Sequence, residues 1–385
     1  MPSLSPRRST GGLALGLLAA WLPAQRPVFT VGGANPNYTS LPAAVAAVPA
    51  GSILVVRPGN HTGFVTNKPL RVLLDFDVQG GTVAPPAGAA YAISITGLPP
   101  GEGFVLVGRG ANVPAGTIGA IRVAHCAGPV VIEGLTATVT NLRTGLEVQD
   151  ATAVHVRRTV LGGSPALQTS LANFTISESV VISTLGLGAV AYETRFEAVR
   201  TFFAGTGQPA LRLFGSTARL SSDGTSSIWS AVPSTVSVSP IEAFDSQLQF
   251  HPERIGLAPN AASVGITLVN SVLRGEEVPT LVTTSAVPGQ TATMRMSSQQ
   301  PRLGAVLLGE AFATPVWFDL GNIWVNTLAQ NQLATLGVVD PAGLQYQTLI
   351  PATPALRGNV FCLQGVVWEP NWSPVLSGPG FWSVL

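Results

Sequence analysis

The feature that most constrains this chain is a recurrence of short apolar phrases through its middle. Gly145-Leu146-Glu147-Val148, Pro165-Ala166-Leu167-Gln168, Gly188-Ala189-Val190-Ala191 and Pro209-Ala210-Leu211-Arg212 open alike, at spacings of 20, 23 and 21 residues. Each is followed by a second strand-like phrase, starting at Val154, Phe174, Phe196 and Ala218, with spacings of 20, 22 and 22. Side chains alternate between faces along a strand, so Val154, Phe174, Phe196 and Ala218 form one column, with Val156, Ile176, Ala198 and Leu220 beside it on the same face. Both columns are apolar throughout. One rung of about 20 residues cannot enclose a core, whereas rungs stacked about 4.8 Å apart share an interior and give each strand two hydrogen-bonding neighbours. The period therefore predicts a solenoid. A sandwich of hairpins would want repeated Asn-Gly or Asp-Gly turns, and Asp223-Gly224 is the sole such dipeptide.

Composition agrees with this reading. Only 10% of the 385 residues are charged, well under the roughly 25% of an average soluble domain, and 42 Gly with 31 Pro argue against long amphipathic helices. The formal net charge of +1, without a Lys/Arg-rich run in the mature part, makes nucleic acid a poor partner. Apolar content of 46% is enough to offset the entropy of ordering, which excludes a disordered chain. At the start, Arg7 and Arg8 precede the apolar run Gly11 to Leu22, followed by Pro23 and Ala24. That pattern reads as a secretory signal cut after Ala24 and assigned residues 1–24; the run is too short for a bilayer span, which needs about 20 residues. No membrane span is expected in the mature chain. Cys126 and Cys362 are the only cysteines, expected either as buried thiols or as one bridge between modules.

The phrase LPAAVAAV, residues 41–48, is the best short helix candidate; Pro49-Ala50-Gly51 and the strand Ser52 to Val56 follow. The whole run LPAAVAAVPAGSILVVRPGNHTGFVTNKPLRVL, residues 41–73, resembles the opening of the pectin-lyase-like right-handed parallel β-helix proteins. There a small helix caps the coil, a Pro/Gly turn leads to an apolar strand, and Pro-Gly leads into the first rung. The resemblance implies an all-β, right-handed parallel β-helix with a short N-terminal capping helix, expected over residues 25–287. Residues 288–302 read as a linker. Residues 303–385 lose the beat and hold five of the seven tryptophans, which predicts a small C-terminal β-sandwich. The run PALRGNVFCLQGVVWEPN, residues 354–371, is similar to a C-terminal module of secreted proteins from planctomycete-like bacteria.

The family's catalytic motifs are missing: no Gly-x-x-Asp-Phe-Ile-Phe-Gly strand, no Gly-Arg-Pro-Trp turn, no Asn-Thr-Asp, no adjacent Asp pair and no Gly-His-Gly. The resemblance carries a fold and no catalytic residue. Asp75 and Asp77 are the sharpest carboxylate pair, about 6.5 to 7 Å apart on one strand face, a spacing that suits a cation or an acid and base flanking a sugar bond. The competing expectation is a solvated face opposite Val72, Leu74, Phe76 and Val78. Arg158, Glu178 and Arg200 fall on three successive rungs, as a structural ion-pair ladder or the wall of a sugar groove, with Thr159, Ser179 and Thr201 as a hydroxyl ladder beside them. Trp368 and Trp372 are candidates for stacking on sugar rings, against burial in the sandwich core. His61, His125, His155 and His251 have no metal-ligand spacing, no Gly-x-Ser-x-Gly elbow occurs, and no glycine run has a nucleotide-site context, so neither metal nor cofactor is expected.

These readings favour a secreted, non-enzymatic β-helix protein of a bacterial envelope or exterior, for surface display, adhesion or polysaccharide binding. The alternative is a polysaccharide lyase or glycoside hydrolase with a non-standard site on one coil face.

Overall fold

The computed structural model describes residues 26–76, 80–101, 103–139, 142–183, 185–222, 227–231, 238–250, 256–258, 265–284, 286–309, 311–318, 321–325, 332–353, 356 and 359–384. The expected signal, Asp77 and His251 lie outside them. The described chain is nearly all β, a parallel solenoid of about nine turns followed by antiparallel sheets. Its N-terminal end carries α1 (Leu41–Ala47), packed by Leu41, Ala44 and Val45, whose spacing of three and four residues places them on one helical face. The sole lysine, Lys68, donates to the carbonyls of Val45 at 3.3 Å and Val48 at 3.2 Å, a cation at the end where the helix dipole is negative.

Strand pairing follows three parallel ladders. The first runs through Ile53–Val56, Arg71–Asp75, Phe104–Asn112, Val130–Thr138, Thr144–Arg157, Leu167–Ser177, Arg195–Val199 and Thr217–Ser221. Its register places Val154, Phe174, Phe196 and Ala218 in one file, and Val156, Ile176, Ala198 and Leu220 in the next. Both expected columns point inward and are buried. The rings of Phe174 and Phe196 stack at 5.5 Å, worth about 0.5–1.5 kcal/mol beyond burial itself. In the second ladder the stacking residues are Leu146, Leu167, Ala189 and Leu211. This moves the expected alignment by one residue, because Leu167 rather than Ala166 continues the inward column of the strand below. One apolar cluster fills the coil from Val31 to Phe250.

At two corners of several successive turns the backbone enters the left-handed region, and a hydroxyl mends the interrupted ladder. Arg158, Glu178 and Arg200 have φ of 47°, 49° and 45°. The next residues, Thr159, Ser179 and Thr201, are the buried hydroxyls expected from the sequence. The Thr159 N–H donates to Ser179 Oγ at 3.1 Å, and Ser179 Oγ donates to the Ser177 carbonyl at 2.7 Å. A second ladder, unforeseen, joins Thr194, Ser216, Ser246 and Ser271, each N–H donating to the next hydroxyl at 3.1, 3.0 and 2.9 Å.

The coil's parallel pairing ends at Val272–Arg274. Thr280–Thr283, expected within the coil, instead pairs antiparallel with Thr291–Ser297, a strand inside the expected linker 288–302, which then pairs with Leu344–Leu349. In Thr291–Ser297 the residues Ala292, Met294 and Met296 alternate inward, a two-residue period that the polar positions between them obscure in the sequence. A second sheet centres on Arg302–Gly309 and Val360–Trp368. The two sheets pack face to face around Leu281, Met296, Val306, Leu363 and Trp382. At Gly365 a Cβ would lie 2.0 Å from Met296 Sδ, so only glycine allows the sheets this close.

The C-terminal module folds back onto the outer face of the first ladder. That face presents Ile53, Val55, Leu73, Val105, Val107 and Val131, all buried, with Val360 packed against them. Farther along, Ala153 meets Trp324, Cys362 and Phe381. Arg71 ties this seam to Asn359, 288 residues away, through a 2.6 Å hydrogen bond.

Candidate functional site

The sequence-derived candidates fall in different places. Asp75 ends its strand and pairs with Arg57 at 3.3 Å, both partly exposed, while Val72, Leu74 and Phe76 are buried behind it. Its expected partner Asp77 lies outside the described residues. Glu178 is held by Arg157 and Arg158, each at 3.1 Å, so two rungs of the expected ion-pair ladder form. Arg200 lines a depression between the coil and the module. Trp368 is half-buried at a strand end, whereas Trp372 is 72% exposed, in a turn with φ of 64°. Trp382 is fully buried in the sandwich core, and Trp324 is fully buried in the seam against the coil. Both cysteines are free and buried, and burial pushes both thiols up, Cys362 well above the usual range with Glu197 adding to it.

Polar groups dominate the seam where the rung faces change from apolar to charged. Arg157, with Glu133 at 3.6 Å and Glu178 at 3.1 Å, donates to the carbonyls of Phe381 and Thr283 across the seam. Burial lowers its pKa and the two carboxylates offset that. Glu197 accepts from Trp324 Nε1 at 2.7 Å and from Arg219 Nη1 at 3.1 Å, and Arg219 reaches the Leu376 carbonyl at 2.7 Å. His155 sits between Trp324 and Phe381, with ring centroids 4.5 and 4.1 Å away, and neither ring nitrogen has a hydrogen-bond partner among the described residues. Burial drops its pKa from 6.5 to about 3, so it is neutral at pH 7. These mostly buried groups join the coil to the module across the seam.

On the second ladder's outer face, Tyr192, Phe214 and Phe244 stack at 5.0 and 5.1 Å with interplanar angles of 5° and 12°. Stacked ring on ring, they offer edges rather than faces to an approaching sugar, so the file is chiefly a stabilising column.

A cleft of about 760 Å³ opens at the junction of the last coil turns and the module. Glu276 and Glu277 come from the segment after Arg274, and Gln299 and Arg302 from the entry to the second sheet. Glu369 and Asn371 come from the turn that carries Trp372. Arg302 Nη1 bridges Glu369 at 2.8 Å and Glu277 at 3.7 Å, fixing both carboxylates on one wall. Glu277 is further held by the Gln299 N–H at 2.6 Å and the Ser298 hydroxyl at 3.1 Å. Asn371 Oδ1 accepts from the Ser373 N–H at 3.0 Å, and the Trp372 N–H donates to the Glu369 carbonyl at 2.8 Å, which closes the turn; Trp372 itself is exposed and does not line the cleft. Planar carboxylate, amide and guanidinium groups can share hydrogen bonds with vicinal hydroxyls. The sequence singled out none of the lining residues, only the neighbouring Trp372. Glu277, Arg302 and Glu369 are brought together from 93 residues of chain without a local motif. No three His, Cys, Asp or Glu side chains among the described residues are grouped to hold a metal ion. No protein-family model matches the chain, and no curated protein sequence matches it.

Proposed function

We propose that this is a secreted, non-enzymatic protein of a bacterial envelope or exterior that binds polysaccharide through its C-terminal module, with the solenoid as a rigid stalk. In this reading the chain is a pectin-lyase-like β-helix protein without that family's chemistry, and the residue 354–371 run relates its end module to those of planctomycete-like bacteria. Export is proposed from Arg7, Arg8 and the apolar run to Leu22. The observation that carries the binding role is the open cleft walled by Glu277, Arg302, Glu369 and Asn371, beside a turn that also carries the exposed Trp372. Against turnover stands the engagement of the coil's carboxylates: Glu178 between two guanidiniums, Glu197 under Trp324, Asp75 beside Arg57 at an open edge.

The test is a glycan array with the full chain and with Trp372→Ala. Retention of neutral polysaccharide by the parent, and loss of roughly tenfold or more in the variant, is expected for one lost stacking contact with its share of hydrogen bonds. Chain length of every retained polysaccharide should stay unchanged on incubation. Binding indifferent to Trp372→Ala, or reproducible depolymerisation, overturns the proposal.

A further inference from the structure

The two ends of the coil are finished differently. At the first rungs the inward residues Val31, Leu54 and Val56 are fully buried, in one cluster with Leu41, Ala44 and Val45 of α1. At the last rung Ile266–Val269 and Val272–Arg274 continue the inward columns. Leu268 lies in register with Ala243 and, one rung farther, Leu213; Leu273 lies in register with Leu248 and then Ala218. Those four preceding residues are at most 1% exposed, whereas Leu268 is 38% and Leu273 36% exposed. Val269 and Val272, on either side of the corner at Asn270 and Ser271, are 43% and 55% exposed. The core therefore runs to the coil's lower end and stops there uncovered. Among the described residues no strand pairs beyond these two, so alternate backbone groups of the rung face outward. Proteins commonly keep such edges apart with Lys, Pro or other charges, and residues 265–271 contain none of these.

We propose that two copies of this chain join at their lower coil ends, each covering the other's exposed core. With the first rungs closed by α1, head-to-tail stacking is shut, and the coil end left to meet an open end is another like it. Such a contact is isologous and closes at two copies. A two-fold axis across the coil sets Ile266–Val269 antiparallel to its image, which gives each edge strand a hydrogen-bonding neighbour. The same axis brings together the apolar side chains of Leu268, Val269, Val272 and Leu273 from both copies. Water satisfies the backbone edge but not these side chains. Ser246 and Ser271, one turn apart, are separated by 25 residues, so one turn from each copy matches the roughly 20–30 residues a side of a stable interface. The contact does not depend on how the cleft of Glu277, Arg302 and Glu369 is read.

Sedimentation equilibrium of the full chain across the micromolar range tests it. A single monomer–dimer equilibrium without larger species is expected. Val269→Glu and Val272→Glu each place a charge at an exposed position of the monomer, and each should weaken the dimer by roughly tenfold or more, because the charge is then buried without a partner. Val28→Glu, at an exposed position of the opposite coil end, should leave the dimer unchanged. So should Leu336→Glu, in the module's exposed stripe of Leu333, Leu336 and Val338. Circular dichroism of each variant checks that it is folded. Amide hydrogen exchange of the parent reports the place without any substitution: protection over residues 265–274 should rise with protein concentration. A monomer at every concentration, an open series of larger species, or a dimer without added protection at 265–274 overturns the proposal. So does a dimer that persists in both folded glutamate variants, or one lost instead in Val28→Glu or Leu336→Glu.

Discussion

Acid should loosen the joint between coil and module through His155. In the unfolded chain its imidazole takes up a proton near pH 6.5, whereas in the folded protein burial delays this to about pH 3. Between those values the unfolded state binds more protons, so stability is complete above about pH 6.5 and falls as the pH is lowered. With about 1.4 kcal/mol per pH unit, the loss is about 2 kcal/mol on going from pH 8 to pH 5 and saturates near 5 kcal/mol around pH 3. The perturbation is His155→Phe, which keeps a ring between Trp324 and Phe381 and removes two buried nitrogens without partners. Urea unfolding at pH 8 and pH 5, followed by tryptophan fluorescence, should show the parent losing about 2 kcal/mol more than the variant. The carboxylates Glu133, Glu178 and Glu197 are common to both proteins and cancel in the difference. If the module separates before the coil unfolds, the first transition alone carries the dependence. Parallel pH profiles for parent and variant would refute the reasoning.

Four further outcomes are expected. Phe174→Ala should cost about 3–5 kcal/mol in urea unfolding, because the file of Phe174 and Phe196 has rungs on both sides and cannot collapse into the gap. Ser216→Ala removes the acceptor for the Thr194 N–H and the donor to the Phe214 carbonyl, and should lower stability by about 1–3 kcal/mol. Gly378→Ala would bring a Cβ to 2.6 Å from Val199 Cγ2 and should weaken module docking by about 1–3 kcal/mol, visible as easier proteolysis at the seam. Cys362, buried and held protonated, should ignore a thiol reagent at pH 8 until denaturant is added.

The coil was legible because its stabilising contacts repeat at short sequence intervals. Phe174 meets Phe196 after 22 residues, and any reader who finds the interval finds the column. The docking of the module was not legible in the same way, since Arg71 meets Asn359 across 288 residues and no periodic signal links them. One hint was present. Ile53–Val56, Phe104–Val107 and Val130–Ile132 are unbroken apolar runs, the mark of strands covered on both faces, whereas an outer face left to water would alternate. Linker and coil boundaries slipped for a related reason: Thr280–Thr283 and Thr291–Ser297 are strands whose partners, not their own residues, decide to which body they belong. Of the candidate residues, Arg200 lines an opening and Trp372 is exposed in a turn next to another, but Glu277 and Glu369 became visible only through tertiary neighbours.

The stripe formed by Ile53, Val55, Leu73, Val105, Val107 and Val131 is covered by Val360, which leaves the ribosome long after the stripe itself. At about 5–20 residues per second, the stretch from Arg274 to Val360 takes roughly 4 to 17 s to emerge, and the stripe stays bare throughout. A chain interrupted after Arg274 would keep it bare for good, beside an unpaired strand edge at the coil's lower end. Such fragments should clump, and the molecule depends on its antiparallel module for solubility as much as for shape.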